Sequence, residues 1–407
     1  MKQFPLIILI PAALSIFAAS CRGNAASSVQ EPPYKHTVDS LVDTMSIRRK
    51  IAQLMVVTAD NRYSDLRKAE EDHSVRDEQI GGIILMGAEL NAAMERTNLL
   101  QSLAEIPLLE FTDAEWGASM RLSGFKPFPR QGLLSKLPND SLVYEMGRAV
   151  ASELKSVHIN VNFAPDIDIN NNPDNIVIGI RSFGSDKHKV ASFGAAYMRG
   201  MQDCGIIACA KHFPGHGDTS VDSHKGLPVL NFKRERLDEY ELFPFRALIE
   251  EGVKMIMVGH LSVPALDSTG TPASVSKPII TDFLRKELGY QGIIVCDALN
   301  MRGLLNLFGG YNDEAGAKAC LAAYEAGSDI LLMPLKVTPA LDLIEMNIKS
   351  GRLPEEDLDE RVRRVLMAKG AAGMLDPGYD RYVDISSIDT TASAALIAEI
   401  NREISKH

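Results

Sequence analysis

The sequence predicts an α/β chain folded as a (β/α)8 TIM-type barrel, and three observations carry that prediction. Apolar runs of strand length recur eight times along the chain. Helix-length amphipathic segments separate most of them. Polar, titratable residues collect directly after the runs, where a barrel places its chemistry. In order, the runs are Gln53 to Val57, Gly82 to Met86, Leu108 to Thr112, Asn160 to Ala164, Ile206 to Ala210, Met255 to Val258, Gly292 to Cys296 and Asp329 to Met333. Helical periodicity predicts helices over Ser141 to Val157, Lys187 to Gln202, Arg234 to Glu251, Lys277 to Leu288 and Asp313 to Ala326. The connections after the second and third runs show no clear period. A doubly wound open sheet is the alternative, but no G-x-G-x-x-G follows the first run to support a dinucleotide site.

The polar outliers sit as a barrel requires. Asp113 and Glu115 follow the third run, Asp166 and Asp168 the fourth, Lys211 and His212 the fifth, His260 the sixth and Asp297 the seventh. A strand-end aspartate is also a common helix N-cap, a reading that competes most strongly for Asp166 and Asp168. Asp297 is harder to explain away. It ends the continuous apolar run Gly292-Ile293-Ile294-Val295-Cys296, and a carboxylate at an apolar mouth is costly unless it is used or paired.

The densest chemistry lies in Lys211-His212-Phe213-Pro214-Gly215-His216-Gly217-Asp218-Thr219-Ser220-Val221-Asp222-Ser223-His224. Pro214, Gly215 and Gly217 forbid a helix straight after the fifth run, so these polar groups are expected on a loop at a strand's C-terminal end. The residues leave three readings open. One is a surface turn with incidental histidines. A second is a metal site using His212, His216, Asp218 or His224, although the breakers remove the helix that would align the i, i+4 pair His212 and His216. The third is an acid–base dyad in which Asp222 orients His224 and raises its basicity.

The pattern K-H-F-P-G-H-G-x-T-x-x-D-S-H closely resembles the signature loop of glycoside hydrolase family 3, in its β-N-acetylglucosaminidase type. The resemblance extends from about Ile51 to Leu375. It implies that His224 is an unusual histidine general acid/base assisted by Asp222, and that Lys211 and His212 hold sugar hydroxyls. The stretch around Asp297 is similar to the family's G-[VI]-[VI]-V-[ST]-D-x-x-x-M, whose Asp is the catalytic nucleophile; Cys296 stands where Ser is usual. Arg181-Ser182-Phe183-Gly184 resembles the R-x-F-G segment, whose Arg binds substrate. Asp113-Ala114-Glu115-Trp116-Gly117 resembles D-x-E-G-G, whose Asp clamps distal hydroxyls, and Trp116, the only tryptophan, replaces a Gly. An indole beside a sugar site could stack on a pyranose face.

The resemblance thus implies a retaining exo-β-N-acetylglucosaminidase with a glycosyl-Asp intermediate, acting on glycans or peptidoglycan fragments with no metal or organic cofactor. The alternatives are another family 3 activity such as β-glucosidase, or a catalytically silent glycan-binding lipoprotein. The His224 loop argues against an ordinary β-glucosidase, which resembles it only at the Lys-His pair.

The rest of the chain bounds this reading. Of the 407 residues, 45% are hydrophobic and 24% charged, enough for a large core. A net charge of -10 with no basic stripe argues against nucleic acid as a partner. Met1-Lys2-Gln3, the apolar run Phe4 to Ala19 and Ala18-Ala19-Ser20-Cys21 have the anatomy of an export signal ending in a loose lipoprotein box. Residues 1–33 are therefore expected to be signal peptide, lipidated Cys21 and tether, with the membrane met only through that lipid anchor. Residues 34–380 are the expected barrel. Residues 381–407 are expected to form a trailing helical segment that resembles the start of a linker to a second domain. Cys204, Cys209, Cys296 and Cys320 show no C-x-x-C spacing and read as buried free thiols. Nothing in the sequence indicates the oligomeric state.

Overall fold

Eight parallel strands form the centre of the fold: β1 (Met55–Thr58), β2 (Gly82–Leu85), β3 (Leu109–Thr112), β4 (Val161–Asn162), β5 (Ile207–Phe213), β6 (Met255–Val258), β7 (Ile293–Cys296) and β8 (Leu331–Leu332). The structure, a computed structural model, describes residues 31–60, 62–172, 174–219 and 227–407. The strands pair in the order β7-β6-β5-β4-β3-β2-β1-β8. Ile330 and Asp329 reach back to Ile294 at 3.1 and 2.7 Å, and Val295 bridges Ile330, so β8 meets β7 and the ring closes. All eight predicted runs are strands of the barrel.

The strands are apolar throughout because barrel strands are covered on both faces. Phe111 and Phe163, with ring centroids 5.4 Å apart, help fill the interior, and helices such as Ser141–Ser156, Lys187–Asp203 and Asp313–Ala326 clothe the outside. The helix expected over Arg234 to Glu251 is broken into Arg234–Glu239 and Phe243–Glu250. Pro244 explains the break: it has no N–H to donate to the preceding turn and starts the second piece instead. After β2 the chain forms a helix over Leu90–Leu103, whereas after β3 it runs irregularly to Ser141, interrupted by the short helix Gln131–Leu134.

Residues from Tyr34 to His407 form one compact unit. Its last part runs along the barrel wall. Arg381 donates to the carbonyl of Ala104 at 2.8 Å, Ser393 donates to Glu153 at 2.6 Å, and the helix Ala394–Ile404 buries Ile397 and Ile400. Cys204, Cys209, Cys296 and Cys320 are free thiols, with Cys204 half-buried. Among the described residues no helix is long and apolar enough to cross a membrane.

Candidate active site

A cavity of about 720 Å³ opens at the C-terminal ends of the strands, the size and place expected of a small-molecule site in a barrel. Its floor is apolar, formed by Ile84, Phe163, Met257 and Leu332. Its walls are charged and come from the end of β5 and from the loops after β3, β4, β5 and β7.

Both Lys211 and His212 line this cavity, although neighbours in a strand normally face opposite ways. A register irregularity against β6 resolves this. Ala210 pairs with Ile256 and Phe213 with Val258, so β5 carries one extra residue in between. Such a bulge re-aims side chains. The pair therefore lies in the last turn of the strand ladder and not on the loop beyond it, as the breakers alone implied.

Lys211, 2% exposed, bridges the Asp113 and Glu115 carboxylates at 2.8 Å each. Arg121 holds the other Asp113 oxygen at 2.6 Å, and Arg181 forks onto Glu115 with contacts of 2.6 to 3.1 Å. Burial pushes the Asp113 and Glu115 carboxyls up, but the cations outweigh it and hold both well below the usual carboxylate range. Burial likewise opposes the charge on Lys211, and Asp113 and Glu115 overcome it, raising the ammonium above its ordinary value. The result is a rigid, fully ionised cluster whose remaining donors and acceptors face the cavity.

Behind it, Asp168 anchors the loop after β5. One of its oxygens accepts from His212 Nδ1 at 2.7 Å and from the His212 backbone N–H at 3.2 Å; the other accepts from the His216 N–H at 2.6 Å. Because Nδ1 donates to a carboxylate, His212 presents Nε2 as a bare acceptor, suited to a sugar hydroxyl. Burial, with Arg181 nearby, lowers the His212 pKa to about 4, so the ring stays neutral. Gly217 makes this packing possible: a Cβ there would lie 1.9 Å from the carbonyl oxygen of Ile169. Asp166, fully buried, is pushed up to about 7 by burial and then by Asp168; its Oδ2 lies 3.4 Å from Arg181. Asp166, Asp168 and His212 offer ligand atoms within 4.8 Å of one another and are the described residues that a metal ion would use. Here Asp168 already accepts from three N–H donors, and the group works as a hydrogen-bonded anchor. Neither aspartate caps a helix.

Asp297 follows β7 and lines the same cavity. Its backbone N–H bonds the Val258 carbonyl at 2.9 Å, and its Oδ1 accepts from Ala298 N–H at 2.7 Å. Burial pushes the carboxyl up, but His260 and His212 outweigh this and leave it below the ordinary aspartate value.

The structure thus brings together Asp113, Arg181, Lys211, His212 and Asp297 around one cavity. Asp222 and His224 lie outside the described residues, as does Cys21. Trp116 is not among the residues lining the cavity, and the Arg130 guanidinium covers its ring at 4.6 Å. Reading the sequence as isolated motifs missed Arg121, which no motif marked, and the role of Glu115, whose position was visible but whose partners were not. It also missed the anchoring role of Asp168. Tyr311 and Arg302 on the rim were likewise unmarked; the Arg302 guanidinium lies 4.9 Å from the Tyr311 ring centre.

Residues 46–368 match the model of the glycosyl hydrolase family 3 N terminal domain. The chain is 34% identical over 323 residues to "Beta-hexosaminidase A" of Pseudoalteromonas piscicida, covering 71% of this chain but 53% of that protein. It is 34% identical over 353 residues to "Beta-hexosaminidase LpqI" of Mycobacterium tuberculosis, covering 83% and 85%. A family 3 β-N-acetylglucosaminidase from Paenibacillus sp. superposes with a TM-score of 0.79 at 34% identity, over 88% of this chain and 69% of that one. The chain belongs to glycosyl hydrolase family 3.

Proposed function

We propose that this glycoside hydrolase is a retaining exo-β-N-acetylglucosaminidase that removes terminal GlcNAc through a covalent glycosyl-Asp297 intermediate. The observation that carries the proposal is the contrast among the cavity carboxylates. Asp113 and Glu115 are neutralised by direct ion pairs, whereas among the described residues Asp297 has no lysine or arginine bound to it. An ionised carboxylate without an ion-pair partner, beside an apolar floor, is the one able to attack a developing oxocarbenium centre. The hexosaminidase names of the relatives support GlcNAc as the sugar.

In the proposed cycle, Asp113, Arg181, Lys211 and His212 bind hydroxyls of the terminal sugar by charge-assisted hydrogen bonds. An Asp297 oxygen forms a bond to the anomeric carbon while the bond to the leaving oxygen breaks, and His224 gives that oxygen its proton. His224 then takes a proton from water, whose oxygen attacks the anomeric carbon and releases Asp297. Asp222 holds the imidazole tautomer throughout. On the rim, Arg302 is the cavity-lining cation that forms no ion pair among the described residues, and it suits a leaving group bearing a carboxylate, as peptidoglycan fragments do. Export and lipidation at Cys21 belong to the same proposal, and a Cys21→Ser variant should then leave the membrane fraction with its specific activity intact.

The test is hydrolysis of aryl β-GlcNAc against aryl β-glucoside, with mass-spectrometric mapping of the label left by an activated 2-fluoro sugar. Preference for the GlcNAc substrate, a label on Asp297 and loss of turnover in Asp297→Ala are expected. Faster cleavage of the glucoside, or a label on another carboxylate, would overturn the reading.

A further inference from the structure

His260, two residues beyond β6, is 1% exposed, and its ring nitrogens bond Ser274 and Ala298, outside the cluster of Asp113, Glu115, Arg181 and Lys211. Its bonds are directional. Nε2 lies 2.9 Å from the carbonyl oxygen of Ala298, which can only accept, so Nε2 carries the proton. Nδ1 lies 2.5 Å from the hydroxyl of Ser274, which is fully buried and bonds to the ring. Ala298 is the residue whose own N–H holds Asp297 Oδ1 at 2.7 Å. Hydrogen bonds therefore join Ser274 to His260 and His260 to the carbonyl of Ala298, while the N–H on the other side of residue 298 holds the carboxylate. Gly259 lets this segment approach the site, since a Cβ there would lie 3.2 Å from His212 Cβ and 2.9 Å from a Leu261 methyl.

We propose that His260, fixed in its tautomer by Ser274, is a positioning residue that sets the attack geometry of Asp297 by clamping Ala298. The proposal rests on the reading of Asp297 as the nucleophile. It explains why a buried imidazole occupies a strand end where an apolar residue would pack more cheaply. A displaced reacting atom costs about 100-fold in rate with little change in substrate affinity, and this split separates positioning from mere packing.

The experiment compares His260→Phe, His260→Gln and Ser274→Ala in the full chain, with thermal melting to confirm folding, steady-state kcat and KM on aryl β-GlcNAc, and GlcNAc binding by calorimetry. His260→Phe should lose about 100-fold in kcat with GlcNAc binding unchanged. His260→Gln, whose amide can still donate to Ala298, should recover to within about 5-fold of wild type, and Ser274→Ala should fall between. Equal losses in the Phe and Gln variants, or wild-type kcat in either His260→Phe or Ser274→Ala, would overturn the proposal. Should His260→Phe fail to fold, the Gln and Ala variants decide alone. A wild-type label away from Asp297 would instead sink the nucleophile reading itself, whatever His260 does.

Discussion

Glu110 sits on β3, three residues before the site, yet points away from it and is 1% exposed. Its Oε1 accepts from Gln101 Nε2 at 2.9 Å, and Oε2 has no partner. Burial pushes its carboxyl from 4.5 up to about 8, against the small opposing effect of Gln101. The fold thus keeps a proton that the unfolded chain gives up, so stability present below pH 4.5 is lost as pH rises through about 8. At about 1.4 kcal/mol per pKa unit, the gap amounts to about 5 kcal/mol. The linkage relation puts about 1 kcal/mol of that at pH 5 and about 4 at pH 8. Glu110→Gln mimics the neutral form and should escape the loss. Urea unfolding of both proteins at pH 5 and pH 8 should show the variant's advantage growing by about 3 kcal/mol between the two. An advantage that does not change with pH would refute the desolvation argument.

Lys369, fully buried with Gln53 Oε1 as its bond partner at 2.9 Å, has its pKa lowered by burial to about 7. Here the sign reverses, because the unfolded chain binds the extra proton between pH 7 and 10.5. Lys369→Met should therefore stabilise most below pH 7 and lose its advantage towards pH 10, as read from melting temperatures across that range. Lys211→Met removes the cation between Asp113 and Glu115; breaking a buried pair in this way should cost about 3–5 kcal/mol of stability and most of the activity. An unchanged melting temperature would show that Arg121 and Arg181 suffice. Asp168→Asn loses the charge behind three N–H bonds and frees the His212 tautomer, so kcat/KM on aryl β-GlcNAc should drop about 100-fold; a change under about 3-fold would argue that the loop after β5 holds itself.

The barrel was legible because its strands are covered on both faces and therefore read as unbroken apolar runs, with Ile293 to Cys296 the plainest. Asp297 was legible for the same reason, since a carboxylate at the end of such a run stands out. What one dimension concealed was pairing. Lys211 meets Asp113 across 98 residues and Arg181 meets Glu115 across 66, and no local period encodes such contacts. The bulge that turns both Lys211 and His212 into the cavity depends on register against β6, which is likewise a property of two strands together. The indole of Trp116 meets Arg130, while its neighbours Asp113 and Glu115 face the cavity, another arrangement that no local period encodes.

Among the described residues five carboxylates crowd the mouth of this barrel, and their surroundings sort them. Asp113 and Glu115 pay for burial with ion pairs and become fixed, fully charged acceptors. Asp166 shares Arg181 only at 3.4 Å, faces Asp168, and is pushed up to about 7 by burial and by that neighbour. Asp168 spends its charge on three N–H groups and becomes scaffold. Asp297 has neither a lysine or arginine bound among the described residues nor the three N–H donors of Asp168, and is held down by imidazoles and one backbone N–H. That distinction matters for chemistry. A carboxylate locked in a bidentate guanidinium fork must break that fork before it attacks carbon, whereas one stabilised by the field of neighbouring rings keeps its oxygen lone pairs available. In the proposed cycle the same cluster of acids binds with some members and reacts with another because the cations are distributed unequally among them.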